Sequence, residues 1–316
     1  MHFQYRVTTR HCRAACTRSD SLIVISTGQS NSKGLELKIH PDANEGAVHV
    51  GGLSVPFHDT LAPEDSRDTV VLVHGTGGSA KTHFRTLFPM LAARYRVLAV
   101  DLQTPAGEPT LDGLSGQVAA VIDHRAPGQP VHVVGYSLGA LVAADLAASR
   151  PESVSSLTLV AGWVRADAQQ RLRNRIWKRL FESDQDLLRE FVTWTAYGHP
   201  FLAGRGDADI QALIDARTFP EGIAGQMRLN AVADLSGRLT AITAPSMVIA
   251  GAHDQMVPAR QTQLLFGGLP NARYAVIDSG HALPQERPAQ LFQLINEFVT
   301  DPAASPAGRI REALFV

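Results

Sequence analysis

The 316-residue chain is nearly without cysteine: Cys12 and Cys16 both lie in its first 20 residues, and the body beyond has none. That excludes a disulfide framework and fits a reducing, cytoplasmic setting. A charge excess is missing as well. Lys and Arg number 29, Asp and Glu 30, for a net charge of -1, so no global field recruits nucleic acid or a membrane surface. No apolar run reaches the roughly 18 residues of a transmembrane helix. The one apolar patch near the N-terminus, Leu22 to Ile25, is far shorter than the h-region of a signal peptide. Both glycine-rich phosphate loops, G-x-x-x-x-G-K-[ST] and G-x-G-x-x-G, are absent. His11 beside the two cysteines lacks the second cluster that a zinc site needs, so no metal is expected, and no organic cofactor either. What remains is 45% hydrophobic and 19% charged, enough for one large α/β domain with an insertion or for two modest domains.

The stretch that organises the rest is Val131 to Ala140, VHVVGYSLGA. A strand-like run enters Gly135-Tyr136-Ser137-Leu138-Gly139, and Leu141, Val142, Leu146 and many alanines continue it as a helix. This is G-x-S-x-G between strand and helix, the setting of a nucleophile elbow. A serine on so tight a turn occupies strained backbone while neighbouring chain passes close by. Glycines at 135 and 139 leave that space open because they carry no Cβ. The serine oxygen then stands at the positive N-terminus of the following helix.

Around that stretch strand and helix alternate. Residues 1–46 are polar and irregular, with four arginines and one aspartate in the first 20, and read as an N-terminal extension. Val48-His49-Val50 and Leu53 to Phe57, split by Gly51-Gly52, predict a β-hairpin. Thr69 to Val73 is a continuous apolar run, as in a parallel strand buried on both faces. It empties into His74-Gly75-Thr76-Gly77-Gly78-Ser79, a loop that presents free backbone N–H groups, and a helix follows over about Lys81 to Arg94. Arg96 to Asp101 is the next strand, Leu111 to Arg125 a helix, Val131 to Tyr136 the elbow strand, Leu138 to Ser149 its helix, and Val154 to Gly162 a further strand. The pattern demands a mostly parallel, doubly wound sheet of about eight strands.

Residues 164–240 break the alternation with helices at 166–183, 185–197, 207–218 and 221–235, an insertion expected to lie as a cap over the carboxyl edge of the sheet. Its first helix reads as amphipathic, with Leu172, Ile176, Leu180 and Phe181 inward and Arg171, Arg173, Arg175, Lys178 and Arg179 outward. That face is either solvated or a dock for an acidic partner such as an acyl carrier protein or coenzyme A. The core resumes over 241–300: a strand at Pro245 to Ala250 ending in Gly251-Ala252-His253-Asp254, a helix from Pro258 to Phe266, a strand at Ala272 to Ile277 ending in Ser279-Gly280-His281, and a helix from Pro284 to Val299. Residues 301–316 form a Pro- and Ala-rich tail.

Ser137, Asp254 and His281 thus stand at the C-terminal ends of three strands, which in an open parallel sheet share one crevice. A hydroxyl is a poor nucleophile at neutral pH. It needs a base in hydrogen-bond reach, and the base needs an acceptor on its other nitrogen. These residue types in this order supply the nucleophile, the acid and the base. Asp167, near the end of the preceding strand, is the fallback acid.

Here the chain resembles the α/β-hydrolase family over about residues 47–300, through His74-Gly75 and its trailing glycines, Gly135 to Gly139, Gly251 to Asp254, and Gly280-His281 followed by Glu286, Arg287 and Pro288. It looks most like the capped carboxylesterase, enol-lactonase and meta-cleavage-product hydrolase branch. The resemblance implies an α/β-hydrolase fold with the cap inserted after strand 6. It also implies an oxyanion hole from the backbone N–H of Leu138 and of Thr76, with Gly77 the competitor. His74, Tyr136, Trp163 and Trp194 are the expected substrate contacts, with Trp177, Tyr197 and Phe201 also in or beside the insertion. Epoxide hydrolases and haloalkane dehalogenases carry aspartate where this chain has Ser137, and proline where it has Gly77, so both activities are disfavoured.

The expected activity is hydrolysis of an ester or thioester of a small or medium acyl substrate through an acyl-enzyme, by a monomer or homodimer. Three alternatives stand beside it: hydrolysis of a carbon–carbon bond in a vinylogous diketone acid, acyl transfer or cyclisation in a biosynthetic pathway, and a non-catalytic ligand-binding role on the same fold.

Overall fold

The computed structural model describes residues 38–60 and 67–311. His11, Cys12, Cys16 and most of the N-terminal extension lie outside them. The first elements among the described residues are a hairpin, β1 (Asn44–Val50) and β2 (Leu53–Asp59). Gly51 and Gly52 form its turn, both at positive φ, which a two-residue hairpin turn of this hand requires. Next come β3 (Thr69–Val73), α1 (Ala80–His83), α2 (Leu87–Ala92), β4 (Arg96–Val100), α3 (Leu111–Arg125), β5 (Val131–Tyr136), α4 (Leu138–Ser149) and β6 (Val154–Val160). Five helices are inserted there: α5 (Ala168–Ser183), α6 (Gln185–Ala196), α7 (His199–Ala203), α8 (Asp207–Asp215) and α9 (Ile223–Val232). The sheet returns with β7 (Ser246–Gly251), α10 (Ala259–Gly268), β8 (Ala272–Ile277), α11 (Leu283–Glu286), α12 (Pro288–Thr300) and β9 (Ile310–Arg311).

Among the described residues one nine-stranded sheet runs in the order β1-β2-β4-β3-β5-β6-β7-β8-β9. The β1–β2 and β2–β4 pairs are antiparallel and all the others parallel. Every residue of β3, β4, β5 and β7 is buried, because helices cover both faces. One apolar cluster packs α3 and α4 on one face, with Val133, Leu141 and Val248 near its centre. The other packs α2 and α12 on the opposite face, with Leu72, Phe88 and Ile295. Among the described residues no helix is long and apolar enough to cross a membrane.

The structure departs from the sequence expectations at predictable places. The core reaches past the composition change at Ala47, since Ile39 and Ala43 are buried in the second cluster. The helix expected over Lys81 to Arg94 is two short helices, the first closed by a capping box between Ser79 and Thr82. The helix expected from Pro284 is broken at Arg287 (φ -136°, ψ 53°), because a residue before proline avoids the helical region. The ninth strand comes from the tail: Tyr274 pairs with Ile310 and Ala275 with Arg311, and the Arg273 Nε donates to the Ser305 carbonyl at 2.7 Å. Two residues carry no periodicity by which to announce themselves.

The inward face of α5 also differs. Leu172 and Ile176 are exposed, while Gln170 and Trp177 are buried. The helix turns residues 170, 173, 174 and 177 inward, a stripe at i, i+3, i+4 and i+7 set by Trp177, which stacks on Phe181 at 4.8 Å between ring centres.

A buried ion cluster ties the antiparallel edge to the parallel sheet. Asp59, fully buried at the end of β2, accepts from Arg96 Nε at 3.0 Å, Arg96 Nη2 at 2.7 Å and Arg125 Nε at 2.7 Å. Burial alone would raise the carboxyl pKa, but the two guanidiniums hold it below its ordinary value of 3.8. A carboxyl depressed on folding contributes stability that is fully present above its unfolded value and is lost as pH falls through the folded one. Asp59→Asn should therefore destabilise the fold at neutral pH by about 3–5 kcal/mol, the usual cost of breaking a buried pair. Urea unfolding of both proteins should show that gap closing below about pH 3.8. A gap under about 1 kcal/mol at neutral pH would contradict this role.

Candidate active site

The turn after β5 is the tightest point of the site. Ser137 has φ 56° and ψ -120°, a region that costs a non-glycine residue about 1–3 kcal/mol. Its backbone N–H is tied to the Val160 carbonyl at 2.9 Å. A Cβ at Gly139 would strike the carbonyl oxygens of Val73 and His74, and one at Gly135 would strike the backbone of Gly139 and Ala140. The strand ends thus pack backbone on backbone, and only glycine fits. With the turn fixed, the Ser137 side chain projects from the carboxyl edge of the sheet and is 8% exposed.

β7 and β8 bring the other two groups to the same edge. His281 Nε2 lies 2.9 Å from Ser137 Oγ, and His281 Nδ1 lies 2.7 Å from Asp254 Oδ2. The other Asp254 oxygen accepts the backbone N–H groups of Met256 and Val257, each at 2.8 Å. The carboxylate is therefore held by three donors and orients the ring, which leaves Nε2 to accept the serine proton. The Tyr136 hydroxyl donates to the His281 carbonyl at 3.1 Å, and the two rings pack with centres 5.4 Å apart. Burial, the nearby Asp254 charge, Tyr197 and Glu286 outweigh Arg217 and push the Tyr136 phenol far up, so it stays a neutral donor. The His281 loop is anchored beneath by Glu286, whose carboxylate accepts the N–H groups of Gly198 and Gly280. Burial raises the Glu286 pKa despite those donors.

The backbone N–H groups of Leu138, the first residue of α4, and of Thr76, which lines the same cavity as Ser137, have no partner among the described residues. Gly77, the competing candidate, has its N–H engaged: it donates to Gln226 Oε1 at 2.8 Å, so it is not free to bind an oxyanion. Gln226 also donates through Nε2 to Thr104 Oγ1 at 2.8 Å. Asn230, one turn further along α9, donates to Thr76 Oγ1 at 2.8 Å. Two amides spaced i, i+4 on one inserted helix thus hold the loop after β3. Only an i, i+4 pair of polar residues on a helix that should bury apolar ones could have flagged them in the sequence.

Several expected contacts lie elsewhere. His74 does not face the cavity beside the serine; its Nε2 accepts the Leu102 N–H at 2.9 Å and its Nδ1 donates to the Gly75 carbonyl at 2.8 Å. Burial depresses its pKa, and the neutral ring braces two loops. Trp194 is 58% exposed on the outer side of α6. Asp167 caps α5, accepting the Gln170 N–H at 2.9 Å, and also accepts from Gln261 Nε2 at 3.0 Å, so it is not the partner of His281. Tyr136 and Trp163 do line the cavity, with Trp177 and Tyr197.

His83 was not expected there. The Gly75 N–H donates to its Nδ1 at 3.1 Å, its ring meets Tyr136 edge-on at 5.1 Å, and it forms part of the cavity wall. Burial, and after it the electrostatic influence of the neighbouring His74, Arg217 and His281, holds its pKa well below the ordinary value of 6.5. The cavity measures about 400 Å³ and is roofed by residues of α5, α6 and α9.

The comparisons with known proteins agree with this architecture. The model of the alpha/beta hydrolase family matches residues 70–294. Pyrrolizixenacetamide deacetylase of Xenorhabdus hominickii is 27% identical over 241 residues, which cover 73% of this chain and 90% of that protein. Pimeloyl-(acyl-carrier protein) methyl ester esterase of Aeromonas hydrophila subsp. hydrophila is 29% identical over 250 residues, 73% of this chain and 94% of that protein. The crystal structure of the enol-lactonase from Burkholderia xenovorans LB400 superposes with a TM-score of 0.69 at 21% identity, covering 80% of this chain and 98% of that one, which is a likeness of fold.

Because Gln226 positions the loop that carries Thr76, Gln226→Leu should lower kcat for a model ester about tenfold. That is roughly 1.4 kcal/mol of barrier, and less than the 10²- to 10³-fold typical of losing an oxyanion donor outright. Steady-state kinetics on the variant checks it. An unchanged kcat would mean the loop is held without that side chain.

Proposed function

The chain is a hydrolase that belongs to the alpha/beta hydrolase family, and from that premise we propose that it cleaves an ester or thioester of a small or medium acyl substrate through an acyl-enzyme on Ser137. The observation that carries this reading is the unbroken hydrogen-bond chain from Asp254 through His281 to Ser137, at 2.7 and 2.9 Å. It ends on a serine held at φ 56°, and the backbone N–H groups of Leu138 and Thr76 are unengaged among the described residues.

In this mechanism Ser137 Oγ passes its proton to His281 Nε2 as it attacks the substrate carbonyl. Asp254 fixes the tautomer and stabilises the imidazolium that forms. The tetrahedral oxyanion is received by the N–H groups of Leu138 and Thr76, which sit in place before the charge develops and need no reorganisation. Collapse expels the alcohol or thiol, protonated by His281. A water then gives a proton to the same nitrogen, attacks the acyl-serine, and releases the acid as Ser137 recovers its proton. No step calls for a metal or organic cofactor. The inserted helices act as a cap that shuts bulk water from the acyl pocket and sets its shape. The Aeromonas relative is named for an ester carried on acyl carrier protein, and a carrier- or coenzyme-linked acyl group falls within the same chemistry.

Ser137→Ala should keep its fold, read by circular dichroism. It should lose turnover of p-nitrophenyl butyrate by about 10⁴-fold or more, since removing a nucleophile removes the whole covalent route. Turnover retained at more than a few per cent of wild type would contradict the proposal.

A further inference from the structure

The cavity beside Ser137 has an unbalanced wall. Arg173 on α5 and Arg217 in the loop after α8 both line it, together with Lys81 and Arg85, and no aspartate or glutamate does. Lys81 is answered by Glu45 at 3.4 Å. The two inserted arginines have no carboxylate partner among the described residues. Arg173 donates through Nη1 to Asn174 Oδ1 at 3.3 Å, and Arg217 donates through Nε to Thr193 Oγ1 at 3.4 Å, both long contacts to neutral oxygens. The Arg217 guanidinium also lies over the Tyr197 ring, 5.0 Å from its centre.

Other donors in the same wall are left over. Arg173 Nε, Arg217 Nη2 and Trp163 Nε1 are closed off from solvent and have no hydrogen-bond partner among the described residues. Buried charges in proteins are paired, and an orphaned buried donor calls for an explanation. Burial presses the Arg173 pKa down to about 10 against the opposing pull of Asp254. The Arg217 charge is felt at both His83 and Tyr136, so it reaches the floor of the cavity near the serine.

We infer that Arg173 and Arg217 form an anion subsite, and that the substrate is an ester or thioester bearing a carboxylate a few atoms from the scissile carbonyl. The inference rests on this cavity being the acyl pocket of Ser137. Guanidinium is the suited group because its planar fork matches carboxylate oxygens in pairs and stays charged when desolvated. Bound carboxylate supplies the missing countercharge and accepts from nitrogens that otherwise have nothing to donate to. The cavity of about 400 Å³ accommodates a short dicarboxylic half-ester. A neutral substrate of the same length leaves both cations buried and unanswered, so discrimination against it is built into the pocket.

The experiment compares glutarate with its neutral diamide, glutaramide, at matched ionic strength. Each is tested as a competitor of p-nitrophenyl butyrate hydrolysis and as a thermal stabiliser, on the wild type, on Arg173→Gln/Arg217→Gln, and on the two single variants. Glutarate should compete at least tenfold better than glutaramide with the wild type and should raise its Tm, while glutaramide does not. Both differences should vanish in the double variant and shrink in each single one, and Arg217→Lys should keep part of them. Equal action of the two compounds on the wild type, or a preference for glutarate that survives in the double variant, overturns the inference. The thermal readout needs no turnover. A wild type that binds glutarate selectively but hydrolyses no ester would refute the hydrolytic reading and leave the anion subsite standing. A wild type that hydrolyses the ester with no preference for glutarate would do the reverse.

Discussion

The site depends on backbone packed against backbone where β3 and β5 end. Gly139 lies against the carbonyls of Val73 and His74, and Gly135 against Gly139 and Ala140, so closely that no Cβ fits at either position. That contact lets the chain reverse between Tyr136 and Leu138 and holds Ser137 in a conformation it would not otherwise keep. The surrounding sheet over-determines the strain: β5 is buried throughout, paired on both sides, and α4 behind it is buried along nearly its whole length. The serine is set by the sheet edge into which its backbone is packed and hydrogen-bonded.

The groups that face the serine are held differently. His281 and the loop after β3 sit on irregular backbone, and irregular backbone needs its polar groups answered. Glu286 answers Gly280 and Gly198 at once, so one carboxylate joins the histidine loop to the insertion. Gln226 and Asn230 do the same for the opposite loop. The inserted helices are therefore coupled to both sides of the crevice by hydrogen bonds. Polar clamps of this kind fix position more sharply than apolar contact, because their strength falls off with distance and angle. A shift of α9 would be felt first at Thr76.

Much of this was legible in the sequence. Long apolar strands ending in glycine, histidine or aspartate declared both the parallel sheet and the rim where Ser137, Asp254 and His281 meet, and the bounds of β3, β5, β8, α3 and α4 follow from the apolar runs and the turn motifs between them. What escaped was set by tertiary packing. Arg173 reads as one basic residue in a run of five, and only the burial of Trp177 turns it toward the cavity. Trp194 reads as a pocket aromatic but faces outward, because α6 buries Leu188 and Thr195 instead. His74 stands in the motif next to the glycines yet spends both ring nitrogens on backbone, whereas His83, nine positions along, reaches the cavity wall. That the Gly77 N–H is engaged could be told only once Gln226, 149 residues away, was seen to accept it.

The central claim is that packing at the sheet edge makes one serine among many nucleophilic. It is tested most directly by reacting the intact protein with a fluorophosphonate and locating the adduct by peptide mass spectrometry. The account predicts a single modification per chain, on Ser137, that fails to form when His281 is replaced by Gln. No adduct, or an adduct on another residue, would contradict it.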